Sequence, residues 1–201
     1  MVFKVRPYMP ADETGWVRCR ALAFLDSAYY DNVYTAKERY ENPAVELVAE
    51  AEGQIVGLLD VEYEREPGTV AYRAKEDPRE GLGAVIHHVA VHPDYRRHGI
   101  ASRLLEAALA ELRRHGVAYV EAWTRDDEAA RRWYEAHGFR IITSYWHVYA
   151  DGPEEMEGAI GSQLPGLHVR YAFAHYLGDD GDMIRRRFRR VHSCCMYRRD
   201  V

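Results

Sequence analysis

A short glycine turn between a predicted strand and a predicted helix constrains this chain more than any other feature. The apolar run Ala84–Val91 is typical of a buried strand, and the spacing of apolar residues in Ile100–His115 predicts an amphipathic helix. The turn Arg96–Ala101 joins them. Because the first N–H groups of a helix lack internal partners and carry the positive end of the helix dipole, this turn suits a pyrophosphate. The alternative is a turn that only connects the two elements.

The turn offers both backbone and side-chain groups to an anion. Gly99 has no Cβ, so a phosphate oxygen can approach its backbone closely. Arg96 and Arg97 can add charge-assisted hydrogen bonds. The residues predicted to hold the ligand in this turn are Arg96, Arg97, His98, Gly99, Ile100, Ala101 and Ser102.

Two further motifs give the turn its context. The tetrapeptide His92–Tyr95 precedes it, and Trp133–Phe139 closes a second predicted helix, with Tyr134 four positions before Gly138. With these motifs, residues 3–149 resemble the GCN5-related N-acetyltransferase family, whose hallmark is V-x-P-x-Y-R-x-x-G-I-G/A followed by Y-x-x-x-G-F. The resemblance implies acetyl-coenzyme A (acetyl-CoA) as co-substrate, with its pyrophosphate on the glycine turn.

The resemblance also implies a fold, namely an α/β structure with a mixed, mainly antiparallel central sheet and helices on both faces. In that fold the strands before and after the pyrophosphate-binding helix, here Ala84–Val91 and Ala118–Thr124, splay apart. The pantetheine arm of the coenzyme enters the gap. It is expected to bond to backbone groups of Val89, Ala90 and Val91.

Hydrophobic patterning along the rest of the chain predicts the same class of fold. Antiparallel hairpins fill the first half, and helices alternate with strands in the second, which indicates a mixed sheet. The further predicted helices are 10–25, 29–41 and 127–137, the further strands are 3–8, 46–51, 54–64, 140–149 and 167–176, and the loops are 66–83 and 151–165.

The C-terminal end differs in charge from the rest of the chain. We expect an acetyltransferase domain over residues 1–176 and a basic extension over residues 177–201. Seven arginines occur in 185–201, although the formal net charge of the 201 residues is −5. The extension either binds nucleic acid or docks on the acidic domain or on a second subunit. The apolar residues between its arginines favour docking, so a nucleic-acid partner is not expected and a homodimer stays open.

Neither a membrane nor an export route is expected. The chain has no apolar run near the ~20 residues that a membrane-spanning helix needs, and Met1–Arg6 lacks the apolar core of a secretory signal. The chain has three cysteines, Cys19, Cys194 and Cys195, and an odd number does not fit a disulfide framework. A cytoplasmic location is therefore the expectation.

Attack of a neutral amine on a thioester requires a base for the amine proton and an acid for the departing thiolate. Tyr134 is the predicted acid, because a phenol can donate a proton without being ionised at neutral pH. The family usually has a tyrosine for this purpose at the corresponding position. The alternative is that Tyr134 only packs with Trp133 and Phe139 at the end of its helix. Backbone N–H groups near Val89 are expected to polarise the thioester carbonyl.

His87 is the predicted base. Strand alternation places His87 on one side with Val89 and Val91. In family members a Glu or His base often lies four or six residues before the position of Val91, and His87 is four before it. Histidine titrates near neutral pH, which suits the task. A purely structural histidine is the equal alternative, and His88 is expected to face the other way and to be structural.

Two other kinds of chemistry are not expected. His87, His88 and His92 do not converge as metal ligands, because neighbouring strand residues point to opposite faces. The cysteines show no paired histidine motif, so transfer is expected to be direct, within a ternary complex, rather than through an acetyl-enzyme. Asp127 stands where many relatives have Asn. It can cap the following helix, while its charge weakens the case for contact with the coenzyme.

The acceptor side carries less specific signals. Glu62 is the acid predicted to receive a cationic amine, with Asp60 and Glu64 on the same strand face. A solvated sheet edge is the alternative and the one we favour for the face as a whole. Tyr29 and Tyr30 are predicted to wall the acceptor pocket, or else to be core residues. The acceptor is a small amine or a basic peptide. The contrasting hypothesis is a non-catalytic acyl-CoA sensor, or an RNA-associated module that uses the arginine-rich tail.

Overall fold

A single eight-stranded sheet runs through the molecule, and helices cover both of its faces. The computed structural model describes all residues from Met1 to Val201. The strands are β1 Lys4–Pro7, β2 Ala44–Ala51, β3 Gln54–Tyr63, β4 Leu82–Val91, β5 Val117–Thr124, β6 Arg140–Asp151, β7 Tyr171–Tyr176 and β8 Arg190–Asp200. The α-helices are α1 Glu13–Leu25, α2 Ile100–Arg114, α3 Glu128–Ala136, α4 Pro153–Met156 and α5 Gly181–Arg187, with short 3₁₀ turns at Pro10–Asp12 and Pro93–Tyr95.

The sheet is mixed and mainly antiparallel, which confirms the expected fold class. Its strand order is β1-β2-β3-β4-β5-β8-β6-β7. Every neighbouring pair is antiparallel except β4 with β5. Because β4 and β5 are parallel, the chain must cross over between them, and α2 is that crossover.

The largest core lies between α2 and the sheet. Ile100, Leu104, Ala108 and Leu112 recur at helical spacing, so they form one apolar stripe. All four are buried in a cluster of 22 residues. On the other face of the sheet, α1 packs a smaller cluster around Trp16. The structure contains no helix whose length and apolar character would let it cross a membrane.

The parallel strands β4 and β5 separate partway along their length. They pair from Leu82 with Val117 up to Ile86 with Ala122, and no pair follows. Residues 88–91 of β4 therefore keep their β3 partners on one side and have no strand on the side that faces β5. This is the splayed geometry that the family resemblance implies.

The helix predicted over residues 29–41 is wrong. The chain from Asp26 to Pro43 has turns and bends but no helix. Its polar side chains instead bond to the sheet: Lys37 pairs with Asp60 at 3.0 Å, and Glu38 bonds to His88 at 2.8 Å. These tertiary bonds outweigh the local preference for a helix.

The C-terminal segment lies inside the sheet rather than beside it. Strand β8 is the central partner of β5 and β6, so a boundary at residue 176 would separate it from the sheet that contains it. Its charge is neutralised locally, since Arg198 is fully buried and lies 2.7 Å from the equally buried Glu121. On the other face, Cys195 and Tyr197 join the main core. Alternation along a strand thus accommodates the arginines and the apolar residues together.

Candidate active site

A cavity of about 410 Å³ lies where β4 and β5 separate. Its walls come from α1 and the segment that follows it, from residues 86–91 of β4, from the end of β5 and from α3. The cavity thus brings together segments from four parts of the chain. It lies beside the glycine turn at the start of α2, because β4 leads directly into that turn.

The glycine turn has the geometry of an anion cradle. Gly99 has a φ of 77° and Arg97 a φ of 62°, so the backbone coils in the left-handed region before α2 begins. No side chain caps the helix, so its first N–H groups remain available. A Cβ built on Gly99 meets no atom within 4 Å, which shows that the space outside the turn is open. These features fit a pyrophosphate, which the backbone N–H groups would hold.

Three side chains of the turn have other partners than a phosphate. Arg96, expected to face the anion, donates instead to the carbonyl oxygen of Ala23 at 2.9 Å and so ties the end of α1 to the turn. Ile100 is buried in the core. Ser102 bonds to His137 at 2.8 Å. Any contact from Ile100 with the coenzyme is therefore through its backbone. Arg97 and His98 are exposed, and His98 bonds through Nδ1 to the carbonyl oxygen of Arg96 at 2.9 Å.

Tyr134 of helix α3 lines the same cavity. Helix α3 presents it from the opposite side of the gap to β4, with the ring stacked on Tyr197 at 5.4 Å between centroids. The residue is 4% exposed, and burial raises the pKa of its hydroxyl above the ordinary value. The phenol therefore stays protonated at neutral pH. Asp127, also in the cavity wall, accepts a hydrogen bond from the backbone N–H of Ala130 at 3.0 Å and so caps α3.

His87 occupies a bulge in β4. The register of β4 with β3 steps from His88 opposite Asp60 to Ile86 opposite Val61, so His87 has no direct partner. The bulge breaks strict alternation. Val89 and Val91 pack toward the main core, whereas His87 contacts the opposite face. The expectation that the three share one side is therefore wrong.

The His87 ring is held by two neighbours. Its Nε2 donates to Glu62 Oε2 at 2.9 Å, and Tyr40 stacks on it at 4.9 Å. Burial alone would raise the pKa of Glu62, but hydrogen bonds from the backbone and side chain of Asn42 and from His87 outweigh it and lower that pKa. Because an ionised carboxylate can only accept, Nε2 carries a proton, and in the neutral form of the ring the lone pair is on Nδ1. His87 lines the cavity and has no hydrogen bond at Nδ1.

His88 lines the same cavity but has both ring nitrogens engaged. Its Nε2 bonds to Glu38 at 2.8 Å, and its Nδ1 accepts from Arg20 at 3.4 Å. Burial lowers the pKa of His88, while the bond from His88 holds the pKa of Glu38 at about 2. This pair is a fixed wall of the cavity. The expectation that His88 faces away from His87 is wrong, because the bulge in β4 directs both rings into the same cavity.

The acidic face of β3 is buried, so its interpretation as a solvated edge is wrong. Asp60 and Glu64 are fully buried and Glu62 nearly so. Glu62 has one oxygen on Asn42 and the other on His87. Its structural partner is thus the histidine, not the open part of the cavity where an acceptor amine would lie.

The two tyrosines expected to wall the acceptor pocket differ in position. Tyr29 lines the cavity, and its hydroxyl accepts a hydrogen bond from the backbone N–H of Arg125 at 2.8 Å. Tyr30 is half exposed, lies outside the cavity and has the Arg190 guanidinium over its ring at 4.4 Å. Only Tyr29 can therefore meet a molecule in this cavity.

Several residues of the site have no signal in the sequence. Arg20, Glu38, Trp123 and Thr124 line the cavity, and Arg125 holds one wall. Their partners lie far away along the chain; Arg125 and Tyr29, for example, are 96 positions apart. No group of three or more His, Cys, Asp and Glu side chains in the structure could hold a metal ion.

Comparison with known proteins agrees with this geometry. The family model described as the acetyltransferase (GNAT) family matches residues 13–139. The [ribosomal protein bS18]-alanine N-acetyltransferase of Escherichia coli is 37% identical over 75 residues, which cover 36% of this chain and 51% of the relative. The chain thus spans about half the length of the curated relatives it matches.

Solved structures show the same fold. The ribosomal-protein-S18-alanine N-acetyltransferase of Escherichia coli superposes with a TM-score of 0.57 at 15% identity, over 100% of this chain and 94% of that one. A protein of Salmonella typhimurium, solved with its cofactor acetyl-CoA, gives 0.57 at 16% identity, over 100% and 94%. Since the family model covers well over half of the residues and includes both the glycine turn and Tyr134, the chain belongs to the acetyltransferase (GNAT) family.

Proposed function

We propose that this protein transfers the acetyl group of acetyl-CoA to a primary amine, and that the amine is the N-terminus of a peptide or protein. One observation carries the proposal. A histidine with a free Nδ1, oriented by a carboxylate, and a protonated tyrosine line one cavity from its two sides. That arrangement supplies a base and an acid to a single reaction centre.

Each residue has one step. The neutral amine nitrogen forms its bond to the acetyl carbon, and His87 takes at Nδ1, directly or through a water, the proton that the nitrogen loses as this bond forms. Glu62 stabilises the resulting charge on His87 through Nε2. The carbon–sulfur bond then breaks. Tyr134 gives its hydroxyl proton to the departing sulfur. Backbone N–H groups of β4 near Val89 stabilise negative charge on the carbonyl oxygen.

The coenzyme side of the proposal rests on the glycine turn and on β4. Acetyl-CoA, when bound, supplies an acetyl group already activated as a thioester. Backbone groups of Arg97–Ser102 would hold its pyrophosphate, and the unpaired edge of Val89–Val91 would hold the pantetheine arm. The fold neighbour solved with acetyl-CoA supports acetyl-CoA as the co-substrate.

Direct transfer fits the cysteines better than a covalent acetyl-enzyme. All three are buried. Burial raises the pKa of Cys19 to about 12 and that of Cys194 to about 11. A thiol needs its thiolate form to attack a thioester, so neither is activated at neutral pH. All groups in the proposal come from one chain, so the reaction requires no second subunit.

A peptide acceptor is supported by one observation. The curated relatives that match are alanine N-acetyltransferases of a ribosomal protein. The cavity wall holds the acidic side chains Asp26, Glu38 and Asp127 and the basic side chains Arg20 and Arg96, so its charge does not separate a peptide from a small amine. A small amine remains within the same chemistry and is the second class to test.

The test is release of free thiol from acetyl-CoA with a panel of acceptors. The panel contains a peptide that begins with alanine, a peptide whose only free amine is a lysine side chain, and small polyamines. Tyr134→Phe is measured beside the wild type and should lower kcat by ~10²-fold or more. Tyr119→Phe is the matched control, because Tyr119 is an equally buried tyrosine whose hydroxyl has no partner and which lies outside the cavity.

The panel separates the hypotheses. Turnover on the alanine peptide that falls in Tyr134→Phe but not in Tyr119→Phe supports the proposal. Turnover on polyamines alone would keep the chemistry and replace the acceptor. Tight acetyl-CoA binding without turnover on any amine would overturn the proposal in favour of an acyl-CoA sensor.

A further inference from the structure

The wall of the cavity opposite β4 is a loop without regular structure. Residues 28–32 follow α1, and Tyr29 and Asn32 of this loop line the cavity. Backbone bonds inside the loop are few: the N–H of Tyr30 bonds to Ser27 at 3.3 Å and that of Asn32 to Tyr29 at 2.8 Å. Such a segment depends on outside contacts for its position.

Arg125 supplies some of those contacts, and Arg20 adds two hydrogen bonds to the carbonyl and side-chain oxygens of Asn32 at 2.8 and 3.1 Å. The backbone N–H of Arg125 donates to the Tyr29 hydroxyl at 2.8 Å, and its guanidinium donates to the carbonyl oxygen of Ala28. The guanidinium also lies over the Tyr29 ring at 4.2 Å from the centroid. From the same group, Nε donates to His147 Nδ1 at 3.1 Å and the remaining nitrogen donates to the Tyr149 hydroxyl. Arg125 therefore ties the loop to strand β6.

Arg190 makes a second, more exposed connection. Its guanidinium forms a bidentate ion pair with Asp31 at 2.7 and 2.9 Å. It also donates to the carbonyl oxygen of Ala28 at 3.3 Å and lies over the Tyr149 ring at 3.8 Å. The two arginines thus converge on one carbonyl group and one ring.

The environment of Arg125 is unusual for a residue that only adds stability. Arg125 is 5% exposed, and its partners are a carbonyl, a phenol, an imidazole and two ring faces, with no carboxylate. A buried cation without an anionic partner costs free energy, and an apolar side chain of similar volume would be cheaper. Burial and the nearby Arg125 charge lower the pKa of His147 to about 4, which keeps Nδ1 free to accept.

We propose that Arg125 is a positioning residue for the acceptor amine: it holds the loop 28–32 so that Tyr29 shapes the acceptor end of the cavity. This inference rests on the proposed function. Arg125 directly follows Thr124, the last residue of β5 that lines the cavity. The residue that bonds to the loop is therefore next in the sequence to a residue of the cavity wall. The coenzyme turn is not among the contacts of Arg125. Arg125 therefore acts on acceptor binding and leaves coenzyme binding unchanged.

The test compares Arg125→Lys with Arg198→Lys. Both substitutions keep the charge and remove the planar fork of donors, and both sites are buried. Arg198 bonds to Glu121 and to Asp77, away from the loop. The measurements are KM for the best amine of the panel, KM for acetyl-CoA, kcat, and hydrogen exchange of residues 28–32, all at a temperature where both variants are folded.

Arg125→Lys should raise the amine KM roughly ten-fold or more, the effect of losing one or two hydrogen bonds from a charged group. The acetyl-CoA KM should stay within about two-fold, and exchange of residues 28–32 should become faster. Arg198→Lys should change neither the amine KM nor the exchange of residues 28–32, although it lowers Tm. Tyr29→Phe, which removes the hydroxyl that accepts from Arg125, should raise the amine KM in the same direction by less.

Two failures are distinguishable. If the wild type turns over an amine and Arg125→Lys lowers Tm without raising the amine KM above that of Arg198→Lys, Arg125 is only structural and the inference is overturned. The same holds if exchange of the loop does not change. If the wild type turns over no amine at all, the proposed function fails, and the acceptor role of Arg125 fails with it whatever the exchange data show.

Discussion

The coenzyme side and the acceptor side of the cavity are built in opposite ways. The coenzyme side is nearly continuous in sequence, since β4, the glycine turn and α2 together span Leu82–Arg114. The acceptor side takes its groups from the segment after α1, from β3 and from β6 and β8. The first is a local motif, and the second is a tertiary assembly in which single bonds join residues up to 162 positions apart.

The two sides also differ in how many of their polar groups are free to bind a ligand. The coenzyme turn offers open backbone N–H groups and leaves its helix uncapped. The acceptor side is a closed network in which most polar atoms already have partners, such as Glu38 with His88 and Arg125 with Ala28. His87 lies on the boundary: it belongs to β4, but Glu62 and Tyr40 from the other side orient it. In the proposed mechanism, catalysis therefore depends on both kinds of construction meeting at one residue.

The largest expected effect is at that boundary. His87→Gln removes the base, and kcat/KM should fall by ~10²- to 10⁴-fold. Glu62→Gln should cause a smaller fall, because the histidine loses the carboxylate that orients it. Both are measured as full pH profiles of kcat/KM with the best amine.

His115→Gln is the control for these variants, since His115 stacks on Tyr63 at the surface, outside the cavity. Its profile should match the wild type. A kcat/KM in His87→Gln equal to that of the wild type would remove His87 from the mechanism and leave the boundary without a base. Coenzyme binding should be the same in all three variants.

The same division explains what could be predicted from the sequence. The glycine turn, α2, the strand before it and the position of Tyr134 follow local patterns, so they were within reach. The fold class also followed, because the family motif lies in the contiguous half. The bulge at His87 could not be seen, since it depends on how β4 pairs with Asp60 and Val61 of another strand.

The predictions for the acceptor side were wrong because the residues concerned have partners that are distant in the sequence. Residues 29–41 have helix-compatible composition, but Lys37 and Glu38 bond to the sheet instead. The arginine-rich tail suggested an extension because its compensating acids, such as Glu121 for Arg198, lie far away along the chain. On the coenzyme side the same cause applies to Arg96, which suggested a phosphate ligand although its carbonyl partner on Ala23 is 73 positions away.

The second prediction concerns the strand that joins the two halves of the sheet. Glu121→Gln removes the carboxylate that neutralises Arg198 inside the sheet, and the free energy of unfolding should fall by ~3–5 kcal/mol. Urea denaturation measures it. Glu111→Gln, which breaks an exposed pair with Arg114, should cost less than ~1 kcal/mol. Equal losses would show that Asp77 alone neutralises Arg198 and that β8 does not depend on the buried pair.

The third prediction tests whether the coenzyme side is really a local motif. Gly99→Ala places a Cβ on a residue with a φ of 77°. Gly53→Ala is the control, because it does the same at a φ of 76° in the β2–β3 hairpin. Both should destabilise the fold by roughly 1–2 kcal/mol, because the left-handed region disfavours a Cβ. Only Gly99→Ala should weaken acetyl-CoA binding, on the order of ten-fold in Kd by titration calorimetry. Equal affinities in the two variants would place the pyrophosphate elsewhere.

The smallest expected effect is a pH dependence confined to the acceptor side. Burial first, and then the charge of Arg125, lower the pKa of His147 from 6.5 to about 4 in the folded chain. Between these values the unfolded chain binds a proton that the folded chain refuses, so stability is lost as the pH falls from 6.5 toward 4. Asp126 opposes this shift, while His175 and His192 add to it.

His147→Gln keeps an acceptor for Arg125 but does not titrate. The drop in Tm between pH 7 and pH 5 should therefore be smaller in the variant than in the wild type by a few degrees, whereas His168→Gln, at an exposed position, should keep the wild-type drop. Scanning calorimetry at pH 7 and pH 5 measures these changes in Tm. The affinity for acetyl-CoA should be the same in His147→Gln and in the wild type. If acetyl-CoA affinity changed with His147, the two sides would be coupled, and the contrast between a local coenzyme motif and a separate acceptor assembly would no longer hold.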